Sequence, residues 1–167
     1  MSYSDERPTL PSQDDKHEGE MLMTDTDVLV RNESAVRAFL DGMERQDEAL
    51  VRSGLHDDVI LRLPRPGLAH RTIEGGDNLA RFVTELSQTV YVEPQASTDM
   101  LLVSQTHAVA EWRLRAKLVH GGDYDQFYCW TFDLADGAIT EIREYIDTAY
   151  GMEKNGQVGR PAIERHS

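Results

Sequence analysis

The chain has 167 residues, a formal net charge of −13 and a single cysteine, Cys129. That length fits one domain with loose ends, and 40% hydrophobic residues are enough to bury a core. The acidic balance argues against nucleic acid and anionic lipid as partners. No stretch approaches a membrane span and the N-terminus has no apolar signal core, so no membrane role is expected. A lone cysteine cannot form an internal disulfide, and the expected home is a reducing cytoplasm.

Three regions are expected: a disordered extension over 1–24, an α+β domain over 25–150 and a polar, frayed tail over 151–167. The first is rich in Ser, Pro, Asp and Glu and has little apolar surface to offset the entropy of ordering. Met21 and Met23 stand where that composition changes, and either is expected as an alternative start. Thr24 to Asp27 supply cap residues for a first helix whose apolar positions include Leu29, Val36, Phe39, Leu40 and Met43. Asp47 is expected to cap a short second helix, EALVRS, and Gly54 to end it in the left-handed conformation. Residues 59–63 read as a strand stopped by Pro64 and Pro66, with a further short strand from His70 to Glu74. Gly75-Gly76-Asp77 then opens a third helix with Leu79, Phe82, Val83 and Leu86 on its apolar face.

From Val90 the hydrophobic period changes from 3.6 to 2, giving strands near 91–103, 107–119, 124–134 and 138–147. Helices followed by a strand meander indicate α+β. Trp112 and its alternate neighbours share one face of their strand, as do Gln126, Tyr128, Trp130 and Phe132 on the next. On the last strand Glu144 lies between Ile142 and Ile146 on the apolar side. A buried carboxylate is costly unless paired or neutral, and burial raises its pKa toward the range of a general acid or base.

Two registers are possible across Asp136-Gly137. A two-residue turn places Cys129 opposite Glu144 and sets the apolar rows on opposite faces. A three-residue loop pairs Leu134 with Ala138, Trp130 with Ile142, Tyr128 with Glu144 and Gln126 with Ile146, uniting the apolar sets, and is the expected one. Tyr128 then stands beside Glu144, either as a site or as a buried polar pair of purely structural kind. Asp147 is a second carboxylate that also suits a helix cap. His56, His70, His107 and His120 lack ligand spacing, so no metal is expected, although the loop of His70 could fold over a pocket mouth.

The segments AVRAFLDGMERQDEALVRSGLHDDVIL, TIEGGDNLARFV and YCWTFDLADGAITEIREYIDTAYG resemble the SnoaL-like branch of the nuclear transport factor 2-like superfamily. The resemblance implies a cone-shaped, cystatin-like fold: a curved mixed or antiparallel sheet wrapped around N-terminal helices with an internal pocket. It identifies fold better than activity, since relatives include isomerases, cyclases, epoxide hydrolases, dehydratases and pure binding domains. Against the Asp-Arg-Asp set of limonene epoxide hydrolases, Glu144 holds one Asp position while Trp112 and Leu114 replace the Arg and the other Asp. Against ketosteroid isomerases, Leu63 replaces the base, Phe39 the tyrosine, and Tyr128 stands for the second oxyanion donor. The carboxylate of SnoaL-like cyclases corresponds to Glu144 or Asp147. The expected protein binds a small apolar or weakly polar organic molecule. If it is an enzyme, it moves protons without a cofactor through Glu144 and Tyr128, with Trp112, Trp130, Gln126, Leu63, Phe39 and His70 around the ligand. The competing expectation is a non-catalytic binding or dimerisation module. A homodimer is expected through the outer face of strand 107–119, with Glu111, Arg113, Arg115 and Lys117 on it.

Overall fold

The computed structural model describes residues 24–63 and 71–155. His70 and most of the expected N- and C-terminal extensions lie outside those residues. Helix α1, Asp25–Arg45, starts at Thr24, whose side chain accepts from the Asp27 amide while the Asp27 carboxylate accepts from the Thr24 amide. Helix α2, Glu48–Ser53, is capped by Asp47 as expected. Gly54, however, has φ −92° and is right-handed rather than left-handed. It is glycine because of space: a Cβ there would come within 2.3 Å of the Ala35 carbonyl oxygen.

Strands β1 (Leu55–Leu63) and β2 (Arg71–Glu74) precede helix α3 (Gly76–Val90). After it come β3 (Tyr91–Val103), β4 (His107–Leu118), β5 (Asp123–Ala135) and β6 (Ala138–Ile146). The six strands form one sheet in the order β2-β1-β6-β5-β4-β3. Only the β1–β6 pairing is parallel, so the sheet is mixed. It wraps α1 and α3 in the expected α+β cone. The core lies between helices and concave face: Val36, Phe39 and Leu40 from α1 meet Leu61, Trp130, Phe132 and Ile142. Phe39 is fully buried, with its ring edge-on to Trp130 at 5.7 Å and Phe132 at 5.8 Å.

The β5–β6 hairpin differs from the expected register. Asp136 (φ 53°) and Gly137 (φ 80°) form a two-residue turn that pairs Ala135 with Ala138. One pair further, the register shifts: Leu134 faces Ile139, but Asp133 faces Glu141. Thr140 is therefore the extra residue of a β-bulge, and its hydroxyl donates to the Asp133 carbonyl at 3.1 Å. Beyond the bulge Phe132 faces Ile142, Trp130 faces Glu144 and Tyr128 faces Ile146. Glu144 stands on the concave side as expected, but opposite Trp130 rather than Tyr128. A bulge supplies the same flip of faces that a three-residue loop would, at a different place in the hairpin.

The start of the expected frayed tail is instead helix α4, Thr148–Asn155. Asp147 Oδ1 accepts from the amides of Ala149 (3.0 Å) and Tyr150 (3.1 Å). The Tyr150 hydroxyl accepts from the Asp125 amide of β5 at 2.9 Å. One aromatic anchor docks a segment whose polar composition alone suggested fraying. Among the described residues, no helix is long and apolar enough to cross a membrane. Replacing Phe39 by Ala should cost about 3–5 kcal/mol in denaturant unfolding, the usual scale for deleting a buried ring. A loss under about 1 kcal/mol would mean that the helix–sheet core does not centre on it.

Candidate functional site

The cone encloses a cavity of about 80 Å³. Such a space holds a few waters or the body of a small organic group. Strand β1 contributes Leu61 and Leu63, helix α3 contributes Phe82, Leu86 and Ser87, and the sheet contributes Trp112, Leu114, Tyr128, Trp130 and Glu144. Leu86, 46% exposed, marks its open side. The wall is apolar and aromatic except at a few points.

Glu144 is the only carboxylate among the described lining residues, and no described lysine, arginine or histidine joins it. The side chain reaches solvent only in part, and its carboxyl makes no hydrogen bond to a described residue. Desolvation alone pushes its pKa up to about 7. Two carboxylates outside the cavity behave oppositely. Glu141 and Asp133, on the convex side of the same hairpin, are held below the usual range by hydrogen bonds from Arg62 and Arg143 respectively. The Arg62–Glu141 contact is 2.8 Å and the Arg143–Asp133 contact 2.7 Å.

Tyr128 lines the cavity but does not bond Glu144. Its hydroxyl lies 2.6 Å from that of Tyr124, which in turn donates to Gln126 Oε1 at 2.8 Å. The direction of this chain is fixed at its far end. Gln126 Nε2 donates to the Asp147 carbonyl, which can only accept, at 3.1 Å. The amide oxygen must therefore face Tyr124, whose one proton goes to it. Tyr128 must donate to Tyr124, and its proton is committed away from any ligand. Burial, the largest cause, raises both phenols far above their ordinary pKa, so they stay protonated.

The sequence-derived site residues separate accordingly. Glu144, Tyr128, Trp112, Trp130 and Leu63 meet at the cavity. Phe39 belongs to the core, with its ring against Trp130 rather than against the cavity. Gln126 is 3% exposed and serves the tyrosine chain. Asp147 is exposed at the start of α4, its carboxylate taken by the cap. The α3 wall went unassigned, although its stripe carries one more large apolar residue, Leu86, than a buried face needs. Tyr124 was missed because period-2 reasoning assigns a face but not the hydroxyl contacts along it. The indole N–H of Trp130 is buried without a described partner, directly across from Glu144.

A SnoaL-like domain model matches residues 36–142. The chain belongs to the SnoaL-like family. Solved structures agree on the fold. A phenazine biosynthesis-related protein from Pseudomonas aeruginosa superposes with TM-score 0.68 at 18% identity, over 92% of this chain and 97% of that one. A protein described as a SnoaL-like polyketide cyclase from Jannaschia sp. gives 0.66 at 16% identity, over 80% and 96%. An epoxide hydrolase of the limonene epoxide hydrolase-like type from M. tuberculosis gives 0.61 at 20%, over 77% and 92%. A search of curated proteins returns no match. At these identities the likeness establishes the nuclear transport factor 2-like cone and not the chemistry inside it.

The raised pKa of Glu144 makes a signed prediction about this SnoaL-like domain. Between about pH 4.5 and 7 the folded state keeps a proton that the unfolded chain has lost. The carboxyl therefore lowers stability progressively as pH rises through that window, with the full cost present above about 7. Glu144→Gln removes the titration. It should stabilise the fold by about 1–3 kcal/mol at pH 8 and by almost nothing near pH 4.5 in urea unfolding. Equal effects at both pH values would show that the carboxyl is well solvated.

Proposed function

We propose that this SnoaL-like protein binds a small, largely apolar organic molecule in the cone and moves a proton on it through Glu144. The reaction class is cofactor-independent isomerisation, cyclisation or hydration. The observation that carries the reading is the carboxyl itself: unbonded, desolvated and poised near neutrality in an apolar cavity. Such a group both gives and takes a proton at working pH, the condition for efficient general acid–base catalysis. The neighbouring folds whose names speak of polyketide cyclisation, epoxide hydrolysis and phenazine biosynthesis support a small-molecule substrate. The epoxide hydrolase form is the weakest match, because Trp112 and Leu114 stand where its Arg and second Asp would be. Asp147 has no part in this reading, and Tyr128 serves as wall and acceptor rather than as donor. The lone cysteine, half-buried on the outer face, suits a reducing cytoplasm.

The decisive comparison is Glu144→Gln on any substrate that the wild type turns over. Turnover should fall on the order of 100-fold or more, the usual scale of acid–base assistance, while affinity for an uncharged ligand of the cavity changes only a few-fold. Unchanged turnover removes Glu144 from the mechanism and leaves a binding module.

The convex face supports a homodimer as a second proposal. Phe127 and Tyr145 are 57% and 53% exposed there, on neighbouring strands. The Arg113 guanidinium lies 4.6 Å from the Phe127 ring centroid and bonds Asp125 at 2.6 Å, a mixed aromatic and charged surface able to meet its own copy. Sedimentation at about ten micromolar should report a dimer, since an interface of standard size persists there. Phe127→Glu should shift it to monomer, and a wild type already monomeric at that concentration would overturn the proposal.

A further inference from the structure

The hydrogen-bond inventory of the cavity is lopsided, and the imbalance selects a ligand. The Tyr128 proton goes to Tyr124, whose own proton goes to Gln126. Tyr91, which also lines the cavity, packs its ring against that of Tyr124 at 4.9 Å. Tyr128 thus adds a ring face and an acceptor oxygen to the wall and has no proton to offer. Ser87 accepts from Gln46 Nε2 at 3.1 Å and keeps its hydroxyl proton, and Trp130 keeps its buried N–H. Against these two neutral donors stand the Tyr128 oxygen and both oxygens of Glu144.

A carboxylate lined by aromatic faces, with no described cation beside it, is the arrangement that accepts an ammonium group. The charge pairs with the carboxylate, its N–H bonds meet acceptors, and its flanks lie against ring faces that attract cations. Trp130 stands directly opposite Glu144, its ring parallel to that of Tyr128 at 5.6 Å, and Trp112 meets Tyr128 edge-on at 5.3 Å. An anionic ligand finds the opposite: a buried carboxylate and an acceptor phenol oxygen. Among the described residues, the remaining neighbours of Glu144 supply no competing charge. Helix α1 offers Met43, β1 offers Leu61 and Leu63, α3 offers Phe82, Val83, Leu86 and Ser87, and β4 offers Trp112 and Leu114. Among the described residues, the titratable groups facing it are the phenols Tyr91, Tyr124 and Tyr128.

We infer that the polar end of the ligand is a protonated amine, held by Glu144 within the aromatic wall of the cavity. This rests on the cavity being a ligand site, as proposed above, and adds the chemical class that it takes. Because the carboxyl carries a proton below about pH 7, amine binding displaces that proton and weakens as pH falls.

The chain has two tryptophans, and both line the cavity, so intrinsic fluorescence reads its occupancy directly. Three probes of one shape separate the outcomes: cyclopentylamine, cyclopentanol and cyclopentanecarboxylate, titrated into the full chain at pH 8 and pH 5. The amine should bind about tenfold or more tighter than the alcohol at pH 8, with the carboxylate weakest. That advantage should shrink about tenfold or more at pH 5, while alcohol binding stays level. In Glu144→Gln the alcohol should bind as before, showing an intact cavity, and the preference for the amine should vanish. Alcohol or carboxylate binding as tight as amine at pH 8, or an amine preference that survives in the Gln variant, overturns the inference and leaves the cavity a ligand site. If no probe perturbs the fluorescence at high millimolar concentration, the ligand-site reading fails and the inference with it.

Discussion

The site depends on one extra residue. Without the bulge at Thr140, the tight Asp136-Gly137 turn would carry its pairing down the hairpin unchanged, and Glu144 would stand across from Cys129 on the convex face. There it would be one more solvated carboxylate on a strongly acidic surface. The bulge moves the whole outer half of β6 by one position, so that Ile142 and Glu144 enter the cone together. The desolvation of Glu144, the apolar seal around it and the exposure of Arg143 and Tyr145 on the other side all follow from that single shift. Reciprocal ion pairs hold the shifted strand in place from outside: Arg62 to Glu141 across to β1, and Arg143 to Asp133 across to β5. At partly exposed positions each contributes modestly to stability.

The chemistry of the cavity then comes from contrast. The aromatic and aliphatic wall denies Glu144 the hydrogen bonds that keep ordinary carboxylates acidic. Tyr128 and Tyr124 spend their protons along their own chain to Gln126. A site built this way has little intrinsic directionality of its own, which fits a family in which one cone serves many reactions.

Much of this was legible in the sequence. The period change at Val90 separated helices from meander, and the caps at Thr24 and Asp47 fell where expected. Glu144 stood out because a carboxylate between two isoleucines violates the pattern of its strand. What stayed hidden was of two kinds. A bulge leaves no mark in a two-residue period, since Thr140 is as ordinary a strand residue as its neighbours; the register was therefore assigned to the loop. Tertiary docking also overrides local composition, as Tyr150 does by tying α4 to β5. Phe39 and Gln126 were misplaced for a related reason. A face tells which residues point inward, but not which of them reach the empty centre and which are spent filling or bracing it.

The tie between Gln126 and the Asp147 carbonyl has a wider consequence. Asp147 opens α4, a short helix lying outside the cone and held to the sheet by a few contacts. The carbonyl there decides which way the Gln126 amide points, and the amide decides the sense in which the tyrosine hydroxyls are strung. With α4 seated, the string runs outward and the cavity wall accepts. Were α4 to lift, the amide would be free to turn, the string could reverse, and a phenol could offer its proton inward. The polarity of the interior is thus written on the exterior, in the seating of the eight-residue helix α4.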